Sequence, residues 1–171
     1  MAIAESILPE FDQEMANTRK LLAIVPEEHA SWKPHEKSTA MGALALHLAN
    51  IPTWAGFTLT KTELNMKPNA GEEGSGFVPP KYESMTDTLE QFDKNVAEAR
   101  QVIASTSDEE MMVPWTLLQG EHKIFTLPRI AVLRSFVMSH SIHHRGQLDV
   151  YLRLKDVPLP GIYGPSADSP N

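Results

Sequence analysis

The chain has 171 residues, enough for one ordinary domain (residues 1–171) that buries a core without disulfide or metal staples. Its composition, 42% hydrophobic and 22% charged, is globular rather than disordered. Fifteen Lys and Arg against twenty-two Asp and Glu give a net charge of −7, with no basic run that neutralises several phosphates, so nucleic acid is not an expected partner.

There is no cysteine, which removes disulfides, thiolate metal ligands and a cysteine nucleophile. Any thiol chemistry takes its sulfur from a co-substrate. The start, MAIAESILPEFDQE, lacks a basic segment and carries acids where a signal peptide is apolar. The longest apolar stretch, around Met41 to Ile51, is interrupted by His47 and Asn50 and is too short to span a bilayer. A soluble cytoplasmic protein is the expectation.

Ile3, Ile7, Phe11, Met15, Thr18, Leu22 and Val25 recur every three or four positions and predict a first helix, which Pro26 stops. Residues 26–39 have no period and read as a loop, with Ser38 or Thr39 available as a cap. A second helix is expected from about Ala40 to Glu63, kinked at Pro52. Its inward face carries Leu44, His47 or Leu48, Ile51 and Trp54.

Pro68, Gly71, Gly74, Gly76, Pro79 and Pro80 make residues 65–83 a long loop. Ser84 to Asp87 fits a capping pattern, and Leu89, Phe92, Val96, Ala99 and Val102 form the stripe of a third helix. Residues 107–126 are a connector in which Ile124–Thr126 suits a short extended piece. Pro128 opens the last helix, expected to reach about Lys155 before Pro158 and Pro160 forbid continuation. The predicted fold is all-α: a four-helix bundle with long loops and an extended C-terminal tail. In that tail, Gly161 and Gly164 permit a tight turn that returns Tyr163 over the bundle mouth.

In the last helix the apparent core-facing line is Leu133, Val137, His140, His144, Gln147 and Tyr151, in steps of four and three. Two histidines four residues apart share a helix face and reach a common point. His47 supplies a third inward imidazole. A single inward histidine is more often a hydrogen-bonded core residue, but three facing one another without a metal leave several buried nitrogens without partners, at about 1–3 kcal/mol each. Three neutral imidazoles without a fourth protein ligand resemble a catalytic metal site with open positions. His143 also lies within one turn of His140, but the stripe selects His144 as the ligand. His143, Arg145 and Gln147 are then supporting residues around the site. His29, His35 and His122 fall in loop-like sequence and read as solvated; Trp32, Trp54 and Trp115 read first as core packing.

The segments MGALALHLANIPTW, HSIHHRGQLDVYLR and VPLPGIYGPSAD resemble the DinB-like superfamily, damage-inducible four-helix-bundle metalloproteins related to mycothiol- and bacillithiol-dependent transferases. The likeness spans nearly the whole chain, and HxxxHHRGQL is its most specific part. It implies one divalent metal ion, nickel or zinc, on His47, His140 and His144, and a homodimer.

The function expected is activation of a low-molecular-weight thiol, or of water, for attack on a small electrophilic substrate. A metal-dependent hydrolase on the same site is the nearest alternative, weakened because no Glu or Asp stands beside the histidines in an HExxH arrangement. A non-catalytic metal- or ligand-binding stress protein and a metal-free structural dimer are the others.

Overall fold

A computed structural model describes residues 2–67 and 80–169. The loop expected over 65–83 therefore lies mostly outside the described residues. Helix α1 spans Ile3–Leu22 and buries Ile7, Phe11, Met15, Thr18 and Leu22, the stripe read from the sequence. A 3₁₀ turn at Glu27–His29 follows, and then α2 (Met41–Asn50).

The second predicted helix is in fact broken. Pro52 has no N–H to continue the ladder, and the chain passes through a tight turn, in which Trp54 N bonds Ile51 O and Ala55 N bonds Pro52 O, into α3 (Thr53–Thr60). Glu63, expected at its end, instead begins a strand, β1 (Glu63–Asn65).

Helix α4 (Met85–Ser105) starts where the capping pattern put it, with the Ser84 hydroxyl accepting from Asp87 N. Glu27 adds a second tie, accepting from Met85 N at 2.8 Å and from the Tyr82 hydroxyl at 2.6 Å. After the short α5 (Asp108–Met111) come β2 (Pro114–Gln119) and β3 (His122–Pro128).

These strands overturn the all-α expectation: the bundle carries a three-stranded mixed sheet, β1 parallel to β2 and β2 antiparallel to β3. The cause is local. Trp115 and Leu117 alternate inward onto the bundle with Leu64, while Thr116 and Leu118 lie on the other face. The hairpin turns on Gly120, at φ 63°, and the Asn65 side chain satisfies both its backbone groups. The extended piece expected at Ile124–Thr126 is the middle of β3.

The last helix is continuous in path but not in winding. It begins as α6 (Arg129–Val132), loosens into π-helical turns over Leu133–Ser139, and continues as α7 (His140–Arg153). In the bundle, α1 and α2 each pack against both α4 and α7. The core between them holds Phe11, Leu48, Phe92 and Leu148. Among the described residues no helix is long and apolar enough to cross a membrane.

Candidate metal centre

His47 comes from the last turn of α2, and His140 and His144 from the first two turns of α7, so two neighbouring helices deliver all three rings. Nε2 of His140 lies 2.8 Å from Nε2 of His144 and 3.3 Å from Nε2 of His47. The three residues together offer one ligand atom each within 4.8 Å of one another. Nitrogens about 2.0–2.1 Å from a tetrahedral zinc stand roughly 3.3–3.4 Å apart. The cluster is therefore already close to the size a single ion requires.

Its protonation suits a cation. Burial first, then the neighbouring His144 and His140 rings, push the His47 imidazole down to about 4. Burial also lowers His140 and His144, with further lowering from neighbouring histidines, so all three are neutral near pH 7. Gln147 Oε1 accepts from His144 Nδ1 at 2.7 Å, which keeps that proton on Nδ1 and leaves the Nε2 lone pair facing the centre. Nδ1 of His140 is buried without a well-formed hydrogen bond, though the Phe136 carbonyl faces the ring and favours its protonated form. A proton on His140 Nε2 serves one neighbour and leaves Nδ1 an orphan acceptor. A cation among the three Nε2 atoms instead moves that proton to Nδ1, toward the Phe136 carbonyl, so the donor set fits a metal.

The triad separates two hollows. A cavity of about 600 Å³ reaches His47 and His144 and runs between α2 and α7 past Gln147, Asn50 and Tyr151, with Tyr82 and Pro80 on its flank. On the other side, a shallower hollow of about 300 Å³ meets His140, His143, Ser139 and Phe136.

Of the supporting residues expected from sequence, His143 and Gln147 are at the site: Gln147 Nε2 donates to His143 Nε2 at 3.2 Å, and the His143 and His144 rings lie 4.9 Å apart. Arg145 is not. It is buried against α1, where its guanidinium meets the Glu14 carboxylate at 2.6 Å, the Glu14 carbonyl and the Thr18 hydroxyl. The tail does return, but to this pair: the Tyr163 hydroxyl bonds both Glu14 and Arg145 and lines neither hollow beside the triad.

The core line through α7 is Ser141, Arg145, Leu148 and Leu152, one residue on from the line read in the sequence. The histidines stand at its edge, half-buried, where a ligand reaches them. His35 and His122 are exposed, and neither they nor His29 join the cluster. Trp54 stacks on Phe136 and Trp115 donates to the Phe57 carbonyl, as core residues. Tyr82 and Lys37 were missed as lining residues. For Tyr82 a signal existed: a Cβ on Gly42 would sit 2.9 Å from its ring, so the glycine in α2 marks a close approach.

The sequence pattern of the DinB superfamily matches residues 10–148. The chain belongs to the DinB superfamily. The uncharacterised protein YrdA of Bacillus subtilis is 23% identical over 168 residues, covering 96% of this chain and 90% of YrdA. Two crystal structures share the fold. A DinB-like protein of Bacillus cereus superposes with a TM-score of 0.69 at 21% identity, over 95% of this chain and 98% of that one. The DinB-like protein YjoA of Bacillus subtilis gives 0.67 at 19% identity, over 94% and 99%. At these identities the two structures speak to the fold alone.

Proposed function

We propose that this DinB protein is a metal-dependent enzyme in which His47, His140 and His144 hold one divalent ion, nickel or zinc. Its substrates in this reading are a low-molecular-weight thiol, as nucleophile, and a small electrophile. A bound divalent ion lowers the pKa of a thiol or water, so the attacking anion is present at neutral pH. The observation that carries the reading is the convergence of three neutral Nε2 atoms at the end of a cavity large enough for a small organic ligand.

The chain's own residues do the rest. Gln147 holds His144 in one tautomer, and the cavity between α2 and α7 leaves room for a ligand beside the centre. Water as nucleophile is the second reading. It is disfavoured because no carboxylate is among the described residues lining the cavity, so none of them offers a water a carboxylate general base.

Homodimerisation belongs to the same proposal. Its support is a set of exposed apolar residues on α7 and at its C-terminal cap, Ile142, Val150 and Leu154, at 37%, 55% and 56% exposure. Light scattering tests it.

The deciding experiment is elemental analysis of tag-free protein, followed by thiol depletion against a panel of electrophiles. Metal without turnover leaves a binding protein, and protein without metal removes the proposal.

A further inference from the structure

The larger cavity has a far end that the metal chemistry does not use. Its polar lining there comes from the loop before α2: Lys37, Ser38 and Thr39. The chain as a whole carries seven more acids than Lys and Arg, yet no Asp or Glu is among the described residues lining this cavity. Lys37 makes no ion pair among the described residues. The nearby acid Glu27 is occupied by the Tyr82 hydroxyl and by Met85 N.

The two ends of the cavity are a fixed distance apart. Along α2, the six residues from Met41 to His47 rise about 9 Å; along α7, the seven from His144 to Tyr151 rise about 10 Å. Trp32, just before the loop, meets the Tyr151 ring edge-on at 5.7 Å, which ties the far ends of the two helices together. The walls between, Leu44, Leu46 and the Tyr82 ring, are largely apolar.

The geometry points to an elongated ligand class: a metal-binding head at His47 and His144, an apolar body, and a carboxylate held by Lys37, Ser38 and Thr39 about 9–10 Å away. One lysine with two hydroxyls matches a single negative charge better than a phosphate dianion, for which clustered cations are usual. This inference names the substrate class for the proposed metal site and rests on that site holding a metal.

The test uses full-length protein loaded with cobalt(II), whose spectrum reports ligand binding at the metal. It is titrated with 8-mercaptooctanoate and its amide, with 3-mercaptopropanoate, and with a matched acid and amide pair carrying a hydroxamate head on the same chain. The long acid should bind about five- to tenfold tighter than its amide, as a charge-assisted hydrogen bond at a partly solvated site provides. The short acid should show no such advantage. Lys37→Gln should abolish the preference while leaving cobalt content and melting temperature unchanged; Lys33→Gln, whose lysine is held by the Glu36 carbonyl, should leave the preference intact.

Equal binding of acid and amide overturns the inference, as does a preference that survives Lys37→Gln or a failure of both heads to bind. If thiols fail to bind while the hydroxamate acid still outbinds its amide, the thiol reading falls and the carboxylate subsite stands.

Discussion

Gln147 Oε1 lies 2.7 Å from Nδ1 of His144, so an exposed amide on the following turn sets the tautomer of a buried-edge imidazole. Such outer partners orient a ligand ring and raise its basicity, and their loss costs roughly 10–100-fold in metal affinity. Gln147→Leu should weaken metal binding by that order while leaving the fold intact, since Gln147 is exposed. Competition with a chelator of known affinity measures it, and an unchanged dissociation constant rejects the role.

The neighbouring pair His143 and His144 separates the ligand set from its support. His47→Ala, His140→Ala and His144→Ala should each lose most bound metal, because each removes one of three converging nitrogens. His143→Ala removes only the ring that Gln147 Nε2 donates to at 3.2 Å, and should keep about one ion per chain. Metal content is read on all four variants after circular dichroism confirms the helices. A His143 variant that comes out empty redraws the site around His140 and His143.

Long elements with a full stripe were legible in the sequence. Helix α1 shows its buried face every three or four residues, and α4 adds a side-chain cap at Ser84. The sheet was not legible, for physical reasons: β1 is three residues long, β2 turns only Trp115 and Leu117 inward, and β3 is an edge strand exposed along most of its length. The three histidines were readable because two of them stand four residues apart on one helix, although the face that carries them proves to be the edge of the core line and not the line itself. Arg145 was not, since its partner Glu14 lies 131 residues away in sequence. Nothing local tells a buried, paired arginine from a solvated one.

The depressed imidazoles make the metal-free protein acid-sensitive in a defined window. His47 titrates near 4 in the folded chain and near 6.5 when unfolded, so between these values the unfolded state binds more protons. Stability therefore falls as pH drops from about 6.5 toward 4, with His140 and His144 adding in the same direction. Thermal melts of chelator-treated protein across this range should show the decline, and His47→Gln should flatten it. Parallel curves for the two proteins would mean that His47 contributes nothing to the slope.

The Glu14–Arg145 pair predicts a stability effect independent of metal. Their side chains are only 7% and 3% exposed, so removing one partner strands a buried charge, at about 3–5 kcal/mol. Arg145→Met should destabilise by that order in a urea melt. Arg145→Met combined with Glu14→Leu should recover much of the loss. Tyr163→Phe, which removes the tail's hydroxyl from both partners, should cost about 1 kcal/mol. If the double variant is no more stable than the single one, the cost arises from packing and not from the stranded charge.

The π-helical turns before His140 set the site's register. The buried positions from Leu133 on are Leu133, Val137, Met138, Ser141, Arg145, Leu148 and Leu152, and the line from Leu133 through Val137 and Ser141 to Arg145 takes three consecutive steps of four. In an ideal α-helix each step of four overshoots a full turn by about 40°, so three steps rotate the stripe about 120° off the core. The wider turns over Leu133–Ser139 absorb that overshoot, and the His140 amide bonds the Ser135 carbonyl five residues back as a result. Deleting Ser135, which is exposed, leaves eleven residue steps from Leu133 to Arg145, three ordinary α turns to within about 20°, so the helix can wind normally and keep the same face inward. The deletion variant should therefore keep about one ion per chain and a melting temperature within a few degrees of the parent. Inserting one alanine after Ser135 instead adds about 100° that the π turns have no room to absorb. The histidine edge and the Arg145 line then cannot both keep their partners. That variant should retain its helical circular dichroism, lose most of its metal and melt several degrees lower. Ser135→Ala, which gives up only a hydroxyl bonded to the Ala131 carbonyl, should behave as the unaltered protein. A deletion variant without metal, or an insertion variant with one ion per chain and an unchanged melting temperature, would show that the π turns do not set the register of the centre.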